Sequence, residues 1–190
     1  VRTVLKKTIR EAEQLGFSVT VSSKAKFFLF YLDEKGKPTT LAHDTGSKFD
    51  LTPLDLGENA RREIILNLED MGFEIETSHH ELSPGQHEIN FSGDHALIAA
   101  DNIVTYKYVI RTLAQKHGLH ATFMPKPLRN YPGSGMSLQL MLFKNEKNAL
   151  QISRFPPSAA RKTKKTPPSV RFCEKTAVPR EQKHGHPPSW

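Results

Sequence analysis

Residues 73–91 predict an antiparallel hairpin, the feature that limits the fold most. The stretch FEIETSHHEL alternates in polarity as a strand does, SPG forms a turn, and QHEINF returns as a second strand. Along a single strand, seven-residue spacing would place Glu81 and Glu88 on opposite faces. Because the turn at Pro84 and Gly85 makes the two strands neighbours, we expect the two carboxylates to converge on one point.

Helical and extended segments alternate around this hairpin. Apolar residues at helical spacing predict helices over 2–15, 55–71 and 94–117, each followed by a glycine. Asp55 and Glu58 have the spacing of a capping box and are expected to open the second helix. The stretches FSVTVS, KFFLFYL, HATFM and SLQLMLF have the composition of strands. The pattern predicts a mixed α and β protein.

Charge and proline content divide the 190 residues into two parts. Residues 154–190 hold nine basic and two acidic side chains and seven of the thirteen prolines, whereas residues 1–153 hold 18 side chains of each sign. Residues 1–150 are enough for one domain with a core. Residues 151–190 have no helical or strand period, which predicts a basic, proline-rich, disordered tail. The abrupt change after NALQ resembles translation out of frame.

Bulk composition restricts the function classes. No apolar run approaches the ~20 residues that a membrane-spanning helix needs. One cysteine excludes an intramolecular disulfide and suits a reducing, cytoplasmic compartment. Basic clusters bind phosphate backbones non-specifically, so a nucleic-acid-binding module built on the tail stays open as a hypothesis. A charged tail without function is the simpler interpretation.

The residues of the hairpin allow three interpretations. Converging carboxylates repel each other unless a cation lies between them, and hard cations such as Mg²⁺ prefer oxygen ligands. Glu81 and Glu88 are therefore candidate ligands of one metal ion. A solvated hairpin edge explains the same residues without a ligand. A zinc site from His79, His80 and His87 is weaker, because adjacent histidines on a strand point to opposite faces and no cysteine is near in sequence.

Three stretches resemble the catalytic domain of bacterial class I glutamine synthetases: FDLTPLDLGENARREI, EIETSHHELSPGQHEINF, and KHGLHATFMPKPL followed by GSGM. The resemblance covers residues 2–149 and implies an α+β fold, part of a catalytic domain with a curved antiparallel sheet and flanking helices. It also implies ATP-dependent ligation of ammonia to glutamate through a γ-glutamyl phosphate. The resemblance further implies two divalent metal ions, Mg²⁺ or Mn²⁺, and a dodecameric homo-oligomer.

The resemblance gives roles to four positions. Glu81 and Glu88 become ligands of one metal ion, Glu76 contacts the ATP nucleotide, and the backbone of Gly133 holds the substrate glutamate. Phosphoryl transfer needs positioned cations that neutralise charge on the γ-phosphate, and carboxylates hold such cations. The resemblance therefore makes the hairpin half of a metal site.

At five positions the chain departs from the family's pattern: Pro132 and Met141 stand where the family has an asparagine and a nucleotide-contacting serine, and the other three concern the metal site. Lys24 and Lys26 stand where the family has two glutamates, and Ser137 stands where it has a metal-binding histidine. A lysine ~4 Å from a divalent cation repels it by several kcal/mol even at an effective dielectric near 20. The metal site is therefore expected to be disabled. We expect the Lys26 ammonium to replace the metal by an internal ion pair with Glu81 or Glu88.

Three functional hypotheses remain open from the sequence. The chain is an inactive fragment of a glutamine synthetase, a pseudoenzyme that docks onto related subunits, or the basic-tailed nucleic-acid-binding module. No residue is assigned a catalytic role, and enzymatic activity is left undecided at this point.

Overall fold

A computed structural model describes residues 1–150 and the backbone of 170–173. Three helices flank one curved antiparallel sheet, which confirms the predicted α+β class. The helices are α1 (Arg2–Gln14), α2 (Glu58–Asp70) and α3 (Ala96–Lys116). The strands are β1 (Ser18–Leu32), β2 (Pro38–Ala42), β3 (Ile75–His80), β4 (Gln86–Phe91), β5 (Asp94–His95), β6 (Leu119–Thr122), β7 (Met136–Lys144), β8 (Lys147–Asn148) and β9 (Val170–Cys173).

The sheet is organised around β1, which pairs antiparallel with β2, β4, β5, β6 and β7. The strand order through its centre is β3-β4-β1-β7-β8, and β9 pairs with β7. The sequence pattern predicted two strands between residues 17 and 32, but they are one strand of 15 residues. Lys24 and Lys26 therefore lie in the middle of the central strand.

The two faces of β1 have different surroundings. Ala25 and Phe27 are buried on the face that packs against the helices, together with Ile89 of β4. Tyr106 of α3 is fully buried there, and its hydroxyl lies 3.0 Å from the Ala25 carbonyl oxygen. Since side chains alternate along a strand, Lys24 and Lys26 project from the opposite face. This opposite face, called the polar face below, carries the residues of the predicted metal site.

The helices end where the sequence predicts, and α1 also begins as predicted, but α2 and α3 begin later than predicted. Each helix is followed two residues later by a glycine with positive φ, a conformation that costs glycine little. The predicted capping box at α2 is wrong, because Gly57 is the N-cap residue and no side chain caps the helix. The Asp55 carboxylate instead accepts from the Gly57 amide and from Arg61.

The C-terminal part of the chain lies mostly outside the described residues. Of the predicted tail, 151–190, the structure describes only the backbone of β9. Within residues 1–150, no helix combines the length and the hydrophobicity that crossing a lipid bilayer requires.

Candidate functional site

Three neighbouring strands place His79, Glu88 and Lys26 in one row across the polar face. His79 on β3 pairs with Glu88 on β4, and Glu88 pairs with Lys26 on β1. Residues directly opposite in antiparallel strands project from the same face. Glu81 follows β3, where its amide donates to the Gln86 carbonyl at 2.7 Å and closes the turn. The hairpin therefore brings both glutamates to one place, as predicted.

Donors occupy both oxygens of the Glu81 carboxylate. Oε2 lies 3.0 Å from Lys26 Nζ and accepts from the Leu82 amide at 3.3 Å. Oε1 accepts from Lys48 Nζ at 3.2 Å and from His79 Nε2 at 3.0 Å. The predicted ion pair between Lys26 and Glu81 is confirmed, whereas Lys48 was not foreseen.

The Glu81 carboxylate is buried and yet strongly favoured as an anion. Its side chain is 1% exposed, while those of Lys26 and Lys48 are 29% and 39% exposed. Burial alone would raise the pKa of Glu81, but hydrogen bonds from Lys26, His79 and Lys48 and the charge of Lys26 outweigh it and lower the pKa to about 2. The interpretation of the hairpin as a solvated edge is therefore wrong.

Glu88 has a different set of partners. Its Oε1 accepts from Asn90 Nδ2 at 2.8 Å and lies 3.8 Å from His79 Nε2. The residue is 8% exposed. No lysine comes within ion-pair distance of Glu88 in the described part of the chain. The two glutamates are close, but the positive charge is concentrated on Glu81.

The spacing of this cluster suits a cation, whereas its hydrogen bonding does not. His79, Glu81 and Glu88 offer ligand atoms within 4.8 Å of one another. A carboxylate has about four lone-pair positions, and four donors already surround Glu81. His79 Nε2 donates to Glu81 and so has no lone pair there for a metal. The residues present do not fit a divalent metal ion in this arrangement.

The other two altered positions of the metal site lie in the neighbouring row of the polar face. Lys24 pairs with Ser137 of β7 on one side and with Asn90 of β4 on the other. Lys24 is half-buried, and among the described residues it forms no ion pair. The sheet register therefore places Lys24, Lys26 and Ser137 on the face that carries the glutamates.

Gly133, expected from the resemblance to hold glutamate, lies in a loop held by the hairpin turn. Gln86 Nε2 donates to the Gly133 carbonyl at 2.9 Å, and Ser83 Oγ donates to the Pro132 carbonyl at 2.8 Å. A Cβ atom at position 133 would overlap the Pro125 carbonyl oxygen. The position therefore requires glycine for steric reasons.

Glu76, the expected nucleotide contact, is an exposed residue of β3. Its Oε1 accepts a long hydrogen bond from Ser92 Oγ at 3.4 Å. Among the described residues, no hydrogen bond or ion pair joins Glu76 to His79, Glu81 or Glu88, although Glu76 lies on the same strand as His79.

A second charged cluster lies beneath the hairpin and was not predicted. Asp44 Oδ1 accepts from His80 Nε2 at 2.8 Å, from the Gly85 amide at 2.7 Å and from the Gly46 amide at 3.3 Å. Burial opposes ionisation of Asp44, but the hydrogen bonds from His80 and Gly85 outweigh it and lower its pKa to about 2. Asp44 thus fastens its loop to both ends of the hairpin turn.

Three of the four ring nitrogens of His80 and His87 in this second cluster have a partner, whereas the buried His87 Nε2 has no hydrogen-bond partner among the described residues. His80 Nδ1 faces the Glu81 carbonyl at 2.6 Å and its Nε2 faces Asp44, so both nitrogens donate to oxygen. Arg61 Nη1 donates to His87 Nδ1 at 3.0 Å. Since arginine has no lone pair, the proton of neutral His87 is on Nε2. The zinc site from His79, His80 and His87 is not formed, because His79 lies with Glu81 and Glu88 whereas His80 and His87 lie in a separate group with Asp44 and Asp55.

Comparison with known proteins identifies the family. The family model for the glutamine synthetase catalytic domain matches residues 1–161. The chain belongs to the glutamine synthetase family. Glutamine synthetases of Staphylococcus aureus strain MW2 and of Staphylococcus epidermidis are each 56% identical to it over 149 residues, which is 78% of this chain. The chain spans about a third of the length of these curated relatives, 33% in each case.

Solved structures of the glutamine synthetase family share the fold. The cryo-EM structure of Plasmodium falciparum glutamine synthetase superposes with a TM-score of 0.70 at 28% identity, over 82% of this chain and 36% of that one. A GmaS structure in complex with ADP superposes with a TM-score of 0.69, also at 28% identity, over 77% of this chain and 34% of that one. The predicted family and fold are both confirmed.

Proposed function

We propose that this chain is a catalytic-domain region of a glutamine synthetase in which a lysine ammonium has replaced a divalent metal ion. In this proposal the chain alone does not ligate ammonia to glutamate. The carrying observation is the 3.0 Å ion pair between Lys26 Nζ and Glu81 Oε2. The proposal includes the family's substrates, which are glutamate, ammonia and ATP. It also includes the family's homo-oligomeric dodecamer.

The chemistry of an ammonium supports loss of the ligase activity. A glutamyl phosphate forms when the γ-phosphoryl group of ATP passes to a carboxylate, and both partners are anions. Complete enzymes of the family are expected to use Mg²⁺ or Mn²⁺ to neutralise this charge. An ammonium has one positive charge, lacks vacant coordination positions, and here already donates to Glu81. It can neutralise Glu81, but it carries half the charge of a divalent ion and cannot coordinate phosphate oxygens as a metal ion does.

Parts of the substrate-binding surface are compatible with residual binding. The backbone at Gly133 is held by Gln86, and Glu76 is exposed on β3. In this proposal Gly133 contacts the substrate glutamate, and Glu76 contacts the ATP nucleotide. Binding of either molecule without turnover agrees with an inactive glutamine synthetase region.

Titration with Mn²⁺ tests the metal part of the proposal. Isothermal titration calorimetry on the purified chain should give no dissociation constant tighter than millimolar. A micromolar dissociation constant contradicts the proposal. In the triple variant K24E/K26E/K48M binding should improve, because carboxylates replace two ammonium groups near Glu81 and Glu88 and no ammonium remains on Glu81.

A direct assay tests the activity part. ATP-dependent formation of glutamine from glutamate and ammonia should stay at background for this chain with Mg²⁺ or Mn²⁺ present. The complete Staphylococcus aureus glutamine synthetase, assayed in parallel, serves as the positive control. Turnover above background by the chain alone would overturn the proposal.

A pseudoenzyme that docks onto related subunits is the second candidate function. It is favoured by large apolar side chains exposed in the loop between β2 and α2: Phe49 is 64%, Leu51 75% and Leu54 53% exposed. Mixing the chain with a complete glutamine synthetase and following co-elution by size-exclusion chromatography tests it. The basic-tailed nucleic-acid-binding hypothesis depends on residues 151–190, which lie almost entirely outside the described part, and we do not favour it.

A further inference from the structure

Lys48 reaches Glu81 from a loop that the hairpin itself holds in place. Phe49, the next residue, has a positive φ of 66°, which is uncommon outside glycine. The Phe49 amide donates to the His80 carbonyl at 3.0 Å, and its ring lies 4.9 Å from the His79 ring between centroids. Lys48 Nζ lies 5.1 Å from the centroid of the same Phe49 ring. These contacts direct Lys48 towards the Glu81 carboxylate.

The two lysines occupy different oxygens of that carboxylate. Lys26 approaches Oε2 from the central strand, and Lys48 approaches Oε1 from the loop. Removal of either lysine leaves the other ammonium beside Glu81. A divalent cation bound to Glu81 would therefore still be repelled by one ammonium group at ion-pair distance from the same carboxylate.

We propose that Lys48 is a second internal cation of the Glu81 site, so that Lys26 and Lys48 each suffice to exclude a divalent metal ion. The inference rests on the proposed function, in which an ammonium has replaced the metal. It adds that the replacement is redundant and that one of the two ammonium groups comes from a loop outside the sheet. Neither the strand pattern nor the family resemblance gave Lys48 a role.

A set of methionine variants tests this redundancy, because methionine keeps most of the length of lysine without its charge. Mn²⁺ binding is measured by calorimetry and by electron paramagnetic resonance of the free ion. The wild type, K26M and K48M should all bind more weakly than millimolar. The double variant K26M/K48M should bind at least about tenfold more tightly than either single variant, because Glu81 and Glu88 then act as uncompensated ligands.

The variant K24M/K26M is the matched control. It removes two lysines from the same face and changes the net charge by the same amount, but it leaves Lys48 on Glu81. It should bind Mn²⁺ no better than K26M. Equal gains in K24M/K26M and K26M/K48M would mean that overall charge, and not the contact with Glu81, governs exclusion, and the inference would be overturned.

The remaining outcomes separate the inference from the proposed function. Micromolar binding by the wild type overturns the proposed function. K26M binding as tightly as K26M/K48M overturns the role of Lys48 and leaves the proposed function standing. No gain in the folded double variant also overturns the inference. Adding E81Q to the double variant should abolish the gain, which assigns the ion to this carboxylate.

A folding control accompanies the binding data, since the double variant leaves a buried carboxylate without an ammonium partner. Thermal unfolding with and without Mn²⁺ should show a higher midpoint with the ion in K26M/K48M, because ligands that bind only the folded state stabilise it. The wild type should show no shift. If the methionine variant does not fold, K26Q/K48Q retains neutral donors to Glu81, and the same gain and shift are expected there.

Discussion

At the scale of single residues, the single charge of Glu81 faces two lysine ammonium groups and, in addition, a histidine. Lys26, Lys48 and His79 all approach a side chain that is 1% exposed, whereas nearby Glu88 has Asn90 as its close donor. A buried carboxylate without any cation would pay a large desolvation cost or become protonated. The lysine ammonium groups therefore balance the negative charge that a metal ion balances where carboxylates gather. This positive charge belongs to the chain itself.

The low pKa of Glu81 predicts an acid-sensitive contribution to stability. The folded pKa is about 2, against an ordinary value of 4.5, so the folded chain binds fewer protons than the unfolded chain between these values. The stabilisation is complete above pH 4.5 and is lost as pH falls towards 2, on the order of 3 kcal/mol in total. Glu81→Gln should be less stable than the wild type at pH 7 but should lose less stability on acidification, as measured by urea unfolding at several pH values.

Glu11→Gln is the control for this experiment, because Glu11 forms only a surface pair with Lys7 at 3.9 Å. Its acid profile should follow that of the wild type. Parallel acid profiles for E81Q and the wild type would contradict the assignment. Asp44 also titrates with a pKa of about 2 and remains in both proteins, so it does not account for a difference between them.

At the scale of secondary-structure elements, the loop between β2 and α2 is fastened to the hairpin by Asp44. The carboxylate accepts from His80 on β3 and from Gly85 in the turn. Asp44→Asn keeps the shape and can keep Oδ1 as the acceptor, but it removes the negative charge beside His80 and places an amide nitrogen at the Oδ2 position, 3.8 Å from His87 Nε2. We expect the free energy of unfolding to fall by about 2–4 kcal/mol, as seen in chemical denaturation.

Asp33→Asn is the matched comparison for Asp44→Asn. Asp33 also accepts from two backbone amides, those of Lys35 and Lys37, but in an exposed turn. Its substitution should cost less than about 1 kcal/mol. Similar losses for both variants would show that burial of the Asp44 clamp is not the source of its effect.

The loop that follows β6 offers a steric prediction. Gly133→Ala should lower the melting temperature, because the new Cβ overlaps the Pro125 carbonyl oxygen and must displace the backbone that Gln86 holds. The expected cost is about 1–3 kcal/mol. Gly135→Ala, two residues away, meets no atom within 4 Å and should be nearly neutral. A thermal melt of the two variants compares them, and equal shifts would contradict the packing argument.

The sequence predicted contacts within regular elements better than contacts from loops. The hairpin follows from the strand period and the helix ends follow from the glycines, whereas the approach of Lys26 to Glu81 was expected from the family resemblance; all three are present. Lys48 and Asp44 come from the loop stretch HDTGSKFD, which has no period, so its path could not be inferred; only the Asp-x-Gly spacing of Asp44 and Gly46 hinted at a local turn. Asp55 has the spacing of a capping box with Glu58. In the structure, however, its carboxylate accepts a hydrogen bond from Arg61 and does not cap the helix.

At the scale of the whole molecule, exposed apolar side chains predict self-association. Leu51 is 75% exposed on the loop before α2, and Val104 and Tyr108, one turn apart on α3, are 68% and 70% exposed. Light scattering over a tenfold concentration range should show a mass that rises with concentration. L51E/L54E should reduce the effect if the loop mediates it, whereas V104E/Y108E tests the helix face. A constant monomeric mass for the wild type would contradict the prediction.

The position of β1 in the sheet has a consequence for synthesis of the protein. Its partners lie far along the chain: Lys26 pairs with Glu88, Phe30 with His120, and Ser18 with Phe143. On the ribosome, β1 emerges long before the strands that cover its edges, so the edge of β1 that pairs with β7 stays uncovered until β7 has been made. Such long-range pairing slows folding and leaves intermediates with exposed apolar surface and open strand edges, which are prone to aggregation. Chaperone engagement should therefore be strongest before residue 143 has emerged and should fall once β1 has both of its neighbours.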